Sequence, residues 1–203
     1  KTQDIAIRNL LLFRKNEPFK ALLVKESERL IRLQEYVNEV FFYVKAAGPE
    51  SDSVDILISE LDKWSIIPEG SISPSGFRLA LTDKNFLGTG HEFKNGFSRN
   101  YSRGNNSFAT IYSIPNIRNT YINAKIHYSF DGNGNFSRGL ATDRPFFSPL
   151  AKWAAGVILV SQAREDTLNA IDPAFVPYKL QFKTQDYWAG KALQIFKDSR
   201  DRE

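Results

Sequence analysis

The stretch Thr120-Tyr-Ile-Asn-Ala-Lys-Ile-His-Tyr-Ser-Phe130 decides how this chain is read. Ile122, Ala124, Ile126, Tyr128 and Phe130 alternate with Tyr121, Asn123, Lys125, His127 and Ser129. Successive side chains of a strand point to opposite faces, so this period of two gives one apolar and one largely polar face. Pro115-Asn116 before it and Asp131-Gly-Asn-Gly-Asn135 after it are rich in turn residues. Working outward, residues 107–114 and 136–140 read as neighbouring strands, and residues 107–140 as a three-stranded antiparallel meander. Residues 77–81 and 178–183 are further strand candidates.

Upstream the pattern reads as helical. A short segment over residues 3–13 stops before Asn16-Glu17-Pro18, where Asn16 fits an N-cap and Pro18 a first helical turn. Leu30, Leu33, Val37, Val40 and Val44 recur at alternating three- and four-residue spacing, which predicts one face of a helix within residues 19–45. Gly48-Pro49 ends it, and Val54, Leu57, Ile58, Leu61 and Trp64 fall on one side of a second helix that Pro68-Glu69-Gly70 breaks. The Ser-, Pro- and Gly-rich residues 71–76 divide a helical N-terminal part, 1–70, from a strand-rich remainder, 71–203, within one integrated domain. Residues 164–171 and 187–198 read as helical, the latter docking through Trp188, Leu193 and Phe196. The expected fold is therefore α+β: N-terminal helices packed on an antiparallel β-meander sheet, with a C-terminal helix.

Composition mainly excludes. The 203 residues contain no cysteine and no methionine, so disulfides, thiolate metal sites, iron–sulfur clusters and a cysteine nucleophile are ruled out. Opening on Lys1, the chain reads as excised from something longer, which points to an extracytoplasmic setting. No run approaches the roughly 20 apolar residues of a transmembrane helix. GxxxxGK[ST], HExxH and GxSxG do not occur, and the Asp131 turn lacks the glycine and glutamate of a calcium loop, so no cofactor or metal is expected.

Charge is concentrated in one place. Within residues 90–139 six cations, Lys94, Arg99, Arg103, Arg118, Lys125 and Arg138, face only Glu92 and Asp131, an excess equal to the formal net charge of +4 of the whole chain. The same window holds nine aromatics, among them Tyr101, Tyr112 and Tyr121. Tyr and Arg are frequent contact residues between proteins, and cations interleaved with rings also suit a single-stranded polynucleotide. The binding candidates are thus Arg99, Tyr101, Arg103, Tyr112, Arg118, Tyr121, Lys125 and Arg138. An acid–base reading would use His91, Glu92 and His127 around an RNA phosphate.

Two short likenesses point the same way. Ile66-Ile67-Pro68-Glu69-Gly70 with Asn106-Ser-Phe-Ala-Thr-Ile-Tyr-Ser-Ile-Pro115, after a long helix, loosely resembles the soluble part of a type IV pilin, although residues 1–18 do not continue an apolar stem and the disulfide of many pilins is impossible. Thr142-Asp-Arg-Pro-Phe-Phe147 is similar to a motif of extracytoplasmic Cache sensor domains, whose strand order the neighbouring segments do not follow. Each covers a small part of the chain. The sequence therefore leads to a non-catalytic structural or protein-interaction domain of an extracytoplasmic or supramolecular assembly, with protein partners or self-assembly. A basic RNA or single-stranded DNA binder is the alternative, and a metal-independent ribonuclease-type toxin a third reading.

Overall fold

The structure, a computed structural model, describes residues 1–48, 51–168 and 176–193. Its first part is a small α/β module: α1 (Asp4–Arg8), α2 (Ala21–Arg32) and a hairpin of β1 (Val37–Ala46) and β2 (Val54–Asp62). Ile7, Leu10, Ile31, Tyr36, Val37 and Val40 form its core, with Leu11, Phe42 and Ile58 packed against it. Ser27, fully buried in α2, donates to the Leu23 carbonyl at 2.6 Å and accepts the Leu12 amide at 2.9 Å, which ties the segment after α1 onto α2.

The second part is one eight-stranded antiparallel sheet in which each strand pairs with the next in sequence, β3 to β10. The strands are β3 (Ile66–Ser73), β4 (Gly76–Phe86), β5 (His91–Asn100), β6 (Asn106–Ile114), β7 (Asn123–Phe130), β8 (Phe136–Arg144), β9 (Trp153–Leu168) and β10 (Val176–Lys191). Residues 74–75, 101–105 and 131–135 connect them at one end, here called distal, and residues 87–90, 115–122 and 145–152 at the other, proximal end. The module sits at the proximal end, where the Gln3 amide donates to the Gly88 carbonyl at 2.8 Å.

This overturns the expected α+β class. The chain is mostly strand, with two short α-helices among the described residues, and those helices pack on the β1–β2 hairpin and not on the large sheet. Residues 37–46 and 54–62, read as helical, are strands because Val37, Val40, Phe41, Phe42, Tyr43, Val44, Val54, Ile56 and Ile58 are β-branched or aromatic and pair across the hairpin. The helical spacing of Val37 and Val40 arises from a bulge between Val37 and Glu39, which turns both toward the core of the module. Pro68 and Gly70, read as breakers, lie in β3, an edge strand where a missing amide donor is tolerated. The expected C-terminal helix is not formed where it is described, since Tyr187–Lys191 completes β10 and residues 194–198 lie outside the described residues. The helix read over residues 164–171 is strand through Leu168, and the rest of it lies outside the described residues. The meander of residues 107–140 is present as β6, β7 and β8.

Candidate functional site

Among the described residues the sheet has almost no hydrophobic core. Of the buried apolar residues, Ala6, Ile7, Leu10, Val24, Leu30, Ile31, Tyr36, Val37 and Val40 belong to the module, and the sheet half adds Tyr121, Ala151, Ala154 and Ala163. Cross-strand register shows where its large apolar side chains went. Leu79 pairs with Phe97, Phe97 with Phe108, Phe108 with Phe130 and Phe130 with Phe136, so all five stand on one face. Past the row of Tyr128, Arg138 and Ser161, Ile126, Leu140 and Leu159 form a further row toward the proximal end. All of these apolar residues but the half-buried Phe136 are exposed, Leu79 to 54% and Ile126 to 57%. Along β7, Ile126, Tyr128 and Phe130 are exposed whereas His127 and Ser129 between them are half-buried. The amphipathicity is thus inverted relative to a sheet that shelters its apolar face from water.

The opposite face is polar and small. Gly96, Ser98, Ser107, Ala109, Ser129 and Ser137, with Arg78, Gln162 and Arg164, line a hollow of about 390 Å³ to which six strands contribute, so the sheet curls around this face. Rings fill the gaps left by glycine: His127 lies over Gly139 and Trp188 over Gly156, where an added Cβ would collide. The pattern changes at the edge strand β10, which places Phe182 and Trp188 on the polar face and Lys183 and Gln185 on the apolar one.

Aromatic side chains mark both ends of the apolar face. At the proximal end Phe86, Phe93 and Tyr112 have ring centroids 5.0–6.3 Å apart, and the Tyr112 hydroxyl lies 2.7 Å from His91 Nδ1. There too the Arg144 guanidinium lies 4.9 Å from the centre of the Phe147 ring and Lys191 Nζ 5.0 Å from that of Trp153. At the distal end Phe77 is 5.8 Å from Phe97 and 6.3 Å from Tyr101.

The proximal connection 115–122 fastens the sheet to the module. Asn116, Asn119 and Tyr121 donate from their side chains to the successive carbonyls of Asn9, Leu11 and Leu10, Tyr121 at 3.0 Å and Asn119 at 3.1 Å. Asn116, Arg118, Asn119 and Tyr121 all have left-handed backbone, φ 48–60°, a conformation that a non-glycine residue holds only when its surroundings dictate it. A second contact joins Thr2, Asp62 and Asn85: the Thr2 amide donates to the Asp62 carboxylate, and Asn85 Nδ2 donates to Thr2 Oγ1 at 2.8 Å. Burial, followed by the bond to Asp62 and its charge, pushes the neighbouring Glu60 carboxyl up to about 6.

The predicted binding residues do not share one surface. Arg99 and Arg138 stand at the distal end of the apolar face, with Tyr101 and Arg103 in the adjoining turn. Tyr112 is on the same face at the proximal end, Lys125 is on the polar face, and Arg118 and Tyr121 lie in the proximal connection. Nothing in this placement makes the continuous basic groove that a polynucleotide would need. His91 is on the apolar face and Glu92 and His127 on the polar one, His127 Nε2 lying 3.1 Å from Ser137 Oγ, so the three are not brought together. Among the described residues no group of acidic or histidine side chains could hold a metal ion. Missed by sequence reasoning were the exposed apolar residues and the asparagines of the junction. The alternation of residues 120–130 carried the first signal, but it did not show that the apolar face is left uncovered.

No family model and no curated protein matches the chain. A solved structure does: the crystal structure of BamA from Haemophilus ducreyi lacking POTRA domains 1-3 matches 93% of this chain with a TM-score of 0.53 at 16% identity. The likeness is one of fold. The chain spans 40% of the length of that structure. Among the described residues no helix is long and apolar enough to cross a membrane, which says nothing of strands.

Proposed function

We propose that strands β3 to β9 are a membrane-embedded wall of an antiparallel barrel of the outer-membrane type, with the apolar face toward lipid and the polar face toward the interior. The observation that carries this reading is the inverted amphipathicity, in which Leu79, Phe97, Ile126, Phe130 and Leu140 are exposed while Ser98, Ser129, Ser137 and Gly139 across the sheet are more sheltered. Strands β4 to β8 have 8–11 residues, close to the roughly 9–11 that a tilted strand needs to cross a bilayer. Aromatic residues at both ends of the apolar face fit the two interfacial girdles of such barrels.

In this reading the role is non-catalytic and extracytoplasmic, and the module is an assembly element docked at one mouth of the barrel. The fold likeness to BamA is consistent with such a role. Strands β3 and β10 have one unpaired edge each within the described residues, and an open edge is not tolerated in hydrocarbon. Further strands, from the same polypeptide or from a protein partner, complete the wall in this reading.

The absence of cysteine allows a clean test. Single substitutions Ile126→Cys and Leu140→Cys on one face, and Ser129→Cys and Ser137→Cys on the other, are made in the complete protein reconstituted in phosphatidylcholine vesicles. A water-soluble maleimide should spare the first pair and a lipid-soluble one label it, with the opposite preference for the second pair. Equal aqueous labelling of both faces in vesicles would remove the proposal.

A further inference from the structure

The apolar face is not electrically uniform, and its charges are arranged by end. Arg99 is the last residue but one of β5, and Arg138 is the third residue of β8, so both stand within three residues of the distal end of their strands. Both are exposed, and both lie on the apolar face by register. Lys183 is in register with Arg138 through Ser161, and Arg103 lies in the distal turn 101–105.

These cations have no carboxylate partner among the described residues. The ion pairs there are Glu26–Arg29, Glu28–Arg32 and Glu35–Lys84, none of them at the distal end. Asp131, in the distal turn 131–135, is engaged within its own turn. It accepts the amides of Asn133 and Asn135 at 2.8 and 3.1 Å and Asn135 Nδ2 at 2.6 Å, while Glu165 is exposed on the apolar face toward the same end, in register with Lys179. The proximal end differs: Arg144 is tied to the carbonyls of Thr120 and Trp153 at 3.2 and 2.6 Å, and Asp83 stands on the same face.

A long cation at the edge of an apolar band extends its head to the headgroup layer, and a cluster of them in excess over acids, here four against Glu165, selects anionic headgroups. The geometry points to a phosphate-binding rim, in which Arg99, Arg103, Arg138 and Lys183 hold the phosphates of anionic lipids in the leaflet away from the module. This rests on the membrane reading above and adds to it a lipid class and a leaflet. The occupant is a lipid because the cations continue the apolar face, where the chains of the same molecules would lie.

The experiment reconstitutes the complete protein in phosphatidylcholine vesicles containing a minor fraction of phosphatidylglycerol. Energy transfer from tryptophan to headgroup-labelled analogues of the two lipids gives their relative association. Wild type should favour phosphatidylglycerol at low salt, and the Arg99→Gln, Arg103→Gln, Arg138→Gln, Lys183→Gln variant should lose at least about ten-fold of that preference, since each cation near an anionic surface is worth several-fold. Replacing the three arginines by lysine should retain it. Protection of Ile126→Cys from aqueous maleimide, read in the same samples, reports insertion. Insertion with no lipid preference, or with a preference that the glutamine variant keeps, overturns the rim alone. Failure of the wild type to insert overturns the membrane reading and the rim with it.

Discussion

The Tyr121 hydroxyl donates to the Leu10 carbonyl oxygen across 3.0 Å and so joins the proximal end of the sheet to the chain just past α1. The ring beneath it is stacked on Phe147, with centroids 3.7 Å apart and planes 7° from parallel. Burial, followed by the charge of Glu26, pushes the phenol up to about 12, so the donor is present throughout the physiological range. Tyr121→Phe keeps the stack and leaves a buried carbonyl without this partner. It should cost about 1–2 kcal/mol. The expected signature is earlier release of the module under denaturant, read by limited proteolysis between residues 11 and 21, with the sheet still folded.

Glu60 makes the other contact between module and sheet sensitive to pH. Its carboxyl is pushed up to about 6 by burial first and then by Asp62, above the 4.5 of an unfolded chain. A carboxyl raised in the folded state stabilises below the unfolded value and loses that contribution as pH rises through the folded one. The folded form binds the extra proton between about pH 4.5 and 6, so stability should fall across that window. Asp62 works the other way: burial opposes it, but the Thr2 side-chain and amide bonds hold it below the ordinary range, and its contribution is lost in acid. Glu60→Gln should therefore stabilise the module at pH 8, by no more than about 1 kcal/mol after solvent screening, with no gain at pH 4.5. Unfolding midpoints at the two pH values decide this, and an equal shift at both would contradict it.

Gly139 admits the His127 ring against its backbone. An added Cβ would meet that ring and also the Leu159 carbonyl oxygen at 2.9 Å. The ring can move and the carbonyl of a paired strand cannot. Gly139→Ala should thus destabilise by about 1–3 kcal/mol, and adding His127→Ala should recover only part of it. Full recovery would mean that the carbonyl contact is not limiting.

The fold class was misread, but one part was legible where the local pattern was clear. Residues 107–140 could only be a meander, because the alternation of Ile122 to Phe130 is flanked by Pro115-Asn116 and by the Asp131 turn. Residues 37–62 were misread because a bulge between Val37 and Glu39 puts Val37 and Val40 on one side of β1 at a spacing that also suits a helix, and only pairing with β2 selects between them. The rim proposed above draws only in part on the residues that the sequence singled out. Arg99 and Arg138 were picked for charge and proximity to rings, but alternation alone does not say which face meets water. That depends on whether a second layer covers the apolar side, a tertiary fact that strands β3 to β9 answer by leaving it bare.

The choice of solvent for that bare face gives the sharpest prediction. Ile126 is the fourth of the eight residues of β7 and Ser129 is three further along on the opposite face. On a water-facing sheet, lysine at the exposed Ile126 would be nearly neutral and would improve solubility. At mid-depth in a bilayer the same substitution costs about 2–4 kcal/mol. Ile126→Lys should then lower the folded yield and the unfolding midpoint of vesicle-inserted protein, while Ser129→Lys, directed at the wet interior, should change both little. Moving the lysine to Phe130→Lys, at the distal end of the same strand, should relieve most of the penalty because the charge can reach the headgroups. A cost that follows depth on one face and vanishes on the other is difficult to produce with any solvent but lipid, and equal tolerance at Ile126 and Ser129 would assign the apolar face to water or to a protein cover.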